Sequence, residues 1–184
     1  YAELCARRER LTERLSGAFP PFQRSKEFIP KRDNRTRGYV AGVPFIKRWE
    51  EAFNPGSRDH IAEALILKYQ WEPAEFTEKD NPKMDEEVLE RLPYPEAPLL
   101  SEYFMVNKRI GQLAQCKEAW LKPVRQDGRI HGRVQSVGAV TSRMAHSKPN
   151  TAQVPNSHSE YGPECRGLFT APPGRMIVGA DDSA

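Results

Sequence analysis

Ile177-Val178-Gly179-Ala180-Asp181-Asp182-Ser183-Ala184 is the stretch whose reading decides the fold: an apolar run that ends in two carboxylates and a serine. A run of this kind predicts a buried strand whose end carries an Asp out of the sheet, the way a sheet presents a metal ligand to solvent. Successive strand side chains point to opposite faces, so Asp181 and Asp182 do not both face one metal pair from a regular strand. Taken alone, the pair equally fits an exposed turn. No further residue follows to complete such a site, and the expectation is a segment of a catalytic machine that stops inside a catalytic motif. An incomplete gene, a split gene and an intein junction all fit that ending.

Working back from this strand, the chain changes texture near residue 124. Residues 129–134, 138–143, 165–170 and 175–181 read as short β-like pieces between Gly, Pro, Ser and Asn, with Asp127-Gly128 as a hairpin-like turn. Before it the pattern is helical. The strongest helix is predicted over 97–121, where Leu99/Leu100, Tyr103/Phe104, Ile110, Leu113/Ala114 and Trp120/Leu121 recur at helical spacing. A first helix is expected over 3–17, with Leu4, Leu11 and Leu15 on one face, ended by Pro20-Pro21. Ser57 is a good cap for a helix over 58–69 carrying Ile61, Leu65 and Leu67, and Asp85 caps a short helix that ends before Pro93. Residues 22–48 are basic, hold Pro and Gly and lack period, so a long loop with at most short strands is expected. The fold class is α+β: a helical region, 1–123, followed by the first antiparallel strands of an incomplete domain, 124–184.

Composition bounds the function only loosely. The 184 residues are 38% hydrophobic and 29% charged, with a mean hydropathy of −0.72 and a formal charge of +3. This is wetter than a typical compact enzyme. Arg7, Arg8, Arg10 and Arg14 open the chain, and Arg24, Lys26, Lys31, Arg32, Arg35 and Arg37 follow; alone, such clusters also fit a solvated surface. Cys5, Cys116 and Cys165 lie far apart, which argues against a zinc knuckle or a disulfide framework and fits a reducing compartment. No apolar run reaches the ~18–20 residues of a membrane span.

Two further stretches carry chemistry. Thr141-Ser142-Arg143 is followed by Pro149-Asn150-Thr151-Ala152-Gln153-Val154-Pro155, and then by Gly162-Pro163-Glu164-Cys165-Arg166-Gly167-Leu168-Phe169. Arg and Gln hydrogen-bond the minor-groove acceptors that every base pair offers in nearly the same place, so they read duplex geometry without reading sequence. With Asp181-Asp182-Ser183 these stretches, in this order and spacing, resemble family A DNA polymerases, especially the phage replicative branch. Tyr39–Pro44, Phe53–Ile61 and Lys108-Arg109-Ile110-Gly111-Gln112 are similar to that branch as well, so the resemblance covers nearly the whole chain.

The resemblance implies a thumb over 1–123 and the start of a palm over 124–184. Asp181 matches the motif aspartate that holds two Mg²⁺ ions, and Asp182 stands where the family supplies a backbone carbonyl. Arg143, Asn150 and Gln153 match residues that touch the primer-template minor groove. Lys108 and Arg109 would approach DNA phosphates, and Arg166 matches a motif arginine near the nucleotide. Each also has a plainer reading: a loop hydrogen bond for Arg143, Asn150 and Gln153, a carboxylate pair for Arg166, a solvated face for Lys108 and Arg109.

Ser142 replaces a usual Gly, Thr151 a usual Leu, and His158 an Arg. The implied activity is template-directed deoxynucleotidyl transfer to a primer 3′-OH, with primer-template DNA, dNTP and the rest of the polymerase (fingers and remaining palm) as partners, in the cytoplasm of a host cell. The 184 residues alone would then be inactive. The basic loop 22–48 falls where one phage branch recruits a processivity factor; a clamp on duplex DNA and an ordinary loop are the other readings. The competing function class is a non-enzymatic DNA-binding module derived from a polymerase thumb.

Overall fold

The computed structural model describes residues 1–178, so the expectations for Asp181, Asp182 and the end of the last strand lie outside the described residues. The chain is mixed helix and strand and divides into two compact units, Tyr1–Asn107 and Lys108–Ala184. Among the described residues no helix is long and apolar enough to cross a membrane.

In the first unit α1 (Ala2–Ala18) buries Leu4, Leu11 and Leu15. That i, i+7, i+11 series makes one stripe of a 3.6-residue helix. Arg7 Nε, on the same helix, donates to Glu102 Oε1 at 2.6 Å. α2 (Arg58–Tyr69) starts at Ser57, whose hydroxyl accepts from the His60 N–H. It ends at Gln70, which takes the left-handed conformation of a helix C-terminus at φ +55°. Ile61 and Leu65 are buried as expected, whereas Leu67 is 69% exposed: it is neither three nor four residues from the buried pair's common face. Asp85 caps α3 (Glu86–Arg91) by accepting from the Val88 N–H at 3.0 Å. That bond, and secondarily Lys83, holds the Asp85 carboxyl below its ordinary value.

The helix ends converge on Glu96. Its carboxylate is buried just before α4 (Ala97–Ile110), accepting from Lys68 Nζ at 2.7 Å and from the Tyr69 hydroxyl at 2.5 Å. Lys68 also donates to the Ala18 carbonyl at 2.9 Å, so one ammonium ties the C-terminus of α1 to the start of α4. Burial pushes the Glu96 carboxyl up, but the Lys68 and Tyr69 hydrogen bonds outweigh it and leave it below its ordinary value. A depressed carboxyl adds stability that is fully present above the unfolded value, about pH 4.3, and is lost as pH falls through the folded value. Glu96→Gln is expected to cost about 2 kcal/mol at pH 7, less than a fully enclosed pair because Lys68 is partly open to water. Urea unfolding at pH 7 and pH 3 checks this: the gap between the two proteins should narrow at the lower pH, and a constant gap would count against the charge-assisted bond.

Residues 22–48 are more ordered than the loop expected of them. β1 (Phe22–Phe28) and β2 (Phe45–Glu51) pair antiparallel over seven residues each, from Phe22 opposite Glu51 to Phe28 opposite Phe45. The alternation of a half-buried strand is missing because only Phe22 is buried; both faces are otherwise wet. Side-chain bonds compensate. Arg24 donates through Nε to Glu51 at 2.6 Å and through both terminal nitrogens to the two Glu63 oxygens at 2.6 and 2.7 Å, locking the ribbon to α2. Gln23 bonds its register partner Glu50 at 2.8 Å. The connection 29–44 is held by Gly42 N–H to the Pro30 carbonyl and Ala41 N–H to Asp33.

The second unit departs further from the expected elements. The helix predicted over 97–121 is α-helical only to Ile110, continues as a π turn over Gly111–Gln115, and gives way to turns. Gly111 leaves room for Cys116 to fold back on it: the Cys116 N–H bonds the Gly111 carbonyl at 2.9 Å, and an added Cβ on Gly111 would lie 3.0 Å from the Cys116 sulfur. Trp120 and Ala119 stay buried, which explains why the apolar pattern continues past the helix. Of the pieces expected here as strands, only 129–134 overlaps one among the described residues, β3 (Arg133–Gln135); it pairs antiparallel with β4 (Ala145–Ser147), which no expected piece covers, and the described residues 175–178 form no strand. Residues 138–143 are the turn between them. The piece at 165–170 belongs instead to a helix, α5 (Gly162–Gly167), with Pro163 in its first turn. Proline's fixed φ suits that position.

Candidate nucleic-acid interface

The site is built on one segment, 143–155, and two supports. Arg143 sits at the end of the β3–β4 turn. Its carbonyl accepts from Gly138 and Ala139, and the Ser142 N–H bonds the Ala139 carbonyl, so the turn is closed at its neck. Ser142 takes φ +59°, a left-handed conformation that glycine adopts without strain. The backbone thus makes the turn a glycine would make, and the Arg143 side chain stands exposed, with no partner among the described residues.

Asn150 shapes the segment through its side chain. Its Oδ1 accepts from the Ala152 N–H at 3.1 Å and caps a single 3₁₀ turn, Thr151–Gln153. The turn is braced from β4 by Thr151 Oγ1 and His146 Nδ1 at 3.1 Å. Its last residue, Gln153, is exposed, and its carbonyl accepts from Gln112 Nε2 at 3.4 Å. Gln112 is held in turn by Arg109, whose Nη1 donates to Gln112 Oε1 at 3.0 Å while Nε is buried without a partner among the described residues. Arg109 therefore supports Gln153 through Gln112, whereas Lys108, one residue before it, is exposed.

Arg166 pairs with no carboxylate among the described residues. Its Nε donates to the Pro155 carbonyl at 2.9 Å, fixing the end of the segment that Asn150 begins. Next to it Cys165 is buried, and that burial pushes its thiol up. The structure thus gathers Asn150, Gln153, Arg109 and Arg166 around one short stretch, with Arg143 on the turn leading into it. Gln112 was missed as a site residue; its place four residues after Lys108, in a basic run on a helix end, was the signal. A cleft of about 690 Å³ in this unit is lined by Trp120, Val124, Ile130, Phe169 and Pro172 and reaches Thr151 of the braced segment. Arg143, Asn150, Gln153, Lys108, Arg109 and Arg166 do not line it.

Among the described residues no three His, Cys, Asp or Glu side chains gather to hold a metal ion. Asp127 and His131 pair at 2.7 Å; the His131 bond, and then the Arg129 N–H, hold the Asp127 carboxyl below its ordinary value.

Residues 44–184 match the family model for DNA polymerase family A. The chain is 48% identical over 142 residues, 74% of its length, to the DNA-directed DNA polymerase of Enterobacteria phage T3, and 43% identical over 168 residues, 87% of its length, to that of Escherichia phage T7. These stretches make up 20% and 24% of the two phage proteins, so the chain spans about a fifth to a quarter of the length of the curated relatives it matches. A DNA polymerase I from Caldicellulosiruptor bescii is 30% identical over 135 residues, 72% of this chain and 15% of that protein. With the family model covering well over half of its length, the chain belongs to DNA polymerase family A.

Proposed function

We propose that this chain is the thumb and the start of the palm of a phage-type DNA polymerase, gripping primer-template DNA and supplying one catalytic aspartate for deoxynucleotidyl transfer to a primer 3′-OH. The observation that carries the reading is the braced segment 143–155, which leaves the Arg143 and Gln153 side chains exposed while their backbones are fixed. Exposed Arg and Gln on a fixed backbone suit the minor-groove acceptors common to all base pairs. Lys108 and Arg109 add positive charge for phosphates, although Arg109 is partly spent on Gln112. Asn150 and Arg166 act here by shaping the segment.

Asp181 would hold the metal ions and the Asp182 carbonyl would help. Two Mg²⁺ ions would supply activation of the 3′-OH and stabilisation of the departing pyrophosphate. The rest of the palm, the fingers and dNTP are the further partners of this reading, with the host cytoplasm as its setting. A processivity factor on the 22–48 region is a second partner that fits its position. The 184 residues by themselves are expected to lack polymerase activity, since this reading places the fingers and the rest of the palm outside them.

Binding tests the grip directly. The chain should bind primer-template duplex weakly and without sequence preference. Two phosphate contacts predict roughly a tenfold loss between 50 and 200 mM salt. Arg143→Ala should weaken binding on every sequence tested. Affinity that is flat across that salt range, or untouched by Arg143→Ala, would remove the interface.

A further inference from the structure

The β1–β2 ribbon concentrates charge in a way the rest of the chain does not. Residues 22–48 hold eight Lys or Arg against Glu27 and Asp33, a net +6, so the other 157 residues carry −3. Arg24 is neutralised by Glu51 and Glu63, but Lys26 and Lys47 are not. They face each other directly in the register, and no carboxylate among the described residues pairs with either ammonium. Like charges directly opposite across a strand pair oppose the pairing, unless an anion lies between them.

The same face carries aromatic rings on both sides of this lysine pair. Directly opposite residues and residues two apart share a face, which places Trp49 on one side and Phe28 with Phe45 on the other. Trp49 and Phe28 are 39% and 46% exposed. Phe28 packs edge-on to Phe45 at 5.7 Å, and Tyr39 stacks on Phe45 at 4.3 Å and 22° between planes, so the second platform is a braced cluster. Lys47 Nζ lies 5.8 Å from the Trp49 ring centre. Trp49 and Phe45 are four residues apart on one strand, roughly 13 Å at the rise of a β-strand.

We infer that this face of the ribbon binds an unpaired nucleic-acid strand, stacking bases on Trp49 and on the Phe28/Phe45 cluster and holding two successive phosphates between them, one with Lys26 and one with Lys47. The choice of strand follows from the chemistry. Exposed rings take the flat face of a base, and in a duplex that face is covered by its neighbours in the stack. Stacking on aromatic side chains with a cationic track along the backbone is the general way single strands are held. A protein partner would have to neutralise the lysine pair with its own carboxylates. The inference goes beyond the duplex grip assigned to Arg143 and Gln153 and uses none of its residues.

Fluorescence anisotropy of labelled oligo(dT) and of a blunt duplex, each against the chain and its variants, tests it. Trp49→Ala should weaken oligo(dT) binding by 5-fold or more, in line with ~1–3 kcal/mol for a stacked base, and Trp49→Phe should restore most of it. Lys26→Ala and Lys47→Ala should each lower the salt slope for oligo(dT) by about 0.7. Duplex affinity should stay within twofold in all of these and fall instead with Arg143→Ala. Thermal unfolding of each variant shows whether the ribbon is intact. Oligo(dT) binding unchanged in a folded Trp49→Ala protein overturns the inference, as it would if the face serves a protein partner. Equal losses on oligo(dT) and duplex overturn it too, by showing one shared charge effect. Failure of Arg143→Ala alone strikes only the duplex grip.

Discussion

Asp181→Ala, introduced into a polymerase of the kind proposed to carry this segment, is expected to slow primer extension on the order of a thousandfold, about 4 kcal/mol of barrier. Asp182→Ala is expected to slow it tenfold or less. The asymmetry rests on the proposed strand reading of 177–183: side chains of a regular strand alternate faces, so one carboxylate would serve the metal ions and the other position would serve through its carbonyl, which alanine keeps. A ligand carboxylate is worth several kcal/mol because it fixes positive charge where the 3′-oxygen and the leaving pyrophosphate turn negative. Single-turnover extension across a Mg²⁺ titration is the measurement. Asp181→Ala should remain slow at saturating Mg²⁺, while Asp182→Ala should approach the parent rate. Equal losses at Asp181 and Asp182 would overturn the face assignment and leave both as direct ligands.

Part of this molecule was legible in its sequence because local rules and tertiary packing agree there. Ser57 and Asp85 cap helices where a hydroxyl and a carboxylate should, and Leu4, Leu11 and Leu15 are buried where a helical stripe puts them. The ordered motifs from Thr141 to Phe169 carried the family membership. The elements themselves were misjudged wherever something other than apolar period decides them. The β1–β2 ribbon is stabilised by Arg24, Glu51 and Glu63, and no period-2 pattern announces a strand held by ion pairs across 27 and 39 residues. The long helix breaks at Gly111 because a glycine lets Cys116 close a wider turn, while the apolar pattern runs on into Trp120. α5 hid behind the reading of 165–170 as a short β-like piece, yet Cys165, Leu168 and Phe169 stand at i, i+3 and i+4, a helical spacing, with Pro163 in the first turn. For the site, residue types suggested contact, but only the bonds show that Asn150 and Arg166 shape the segment while Arg143 and Gln153 are left to reach out.

That division makes Gly162 the position where a single methyl should do the most damage to the fold. An added Cβ would lie 1.8 Å from the Asn156 carbonyl oxygen, 2.8 Å from its carbon and 2.9 Å from Ser159 Oγ. The serine hydroxyl can rotate away; the carbonyl cannot. It is the hub of the turn, accepting from the Ser159 N–H at 3.0 Å and from Ser159 Oγ at 2.7 Å. Tyr161, at φ +59°, turns the chain into α5 one residue earlier, so the backbone has little slack on that side. Gly162→Ala must therefore open the turn or shift α5, and with it the buried Cys165 and the Arg166 bond to Pro155. A loss of about 3 kcal/mol or more is expected. Gly167, on the same helix, has nothing within 4 Å of an added Cβ, and Gly167→Ala should change stability by less than about 0.5 kcal/mol in either direction. Thermal unfolding of both, with limited proteolysis between residues 150 and 165, decides it. Cleavage in that segment should rise sharply for Gly162→Ala alone, and equal behaviour of the two variants would mean that the Asn156 turn yields at little cost.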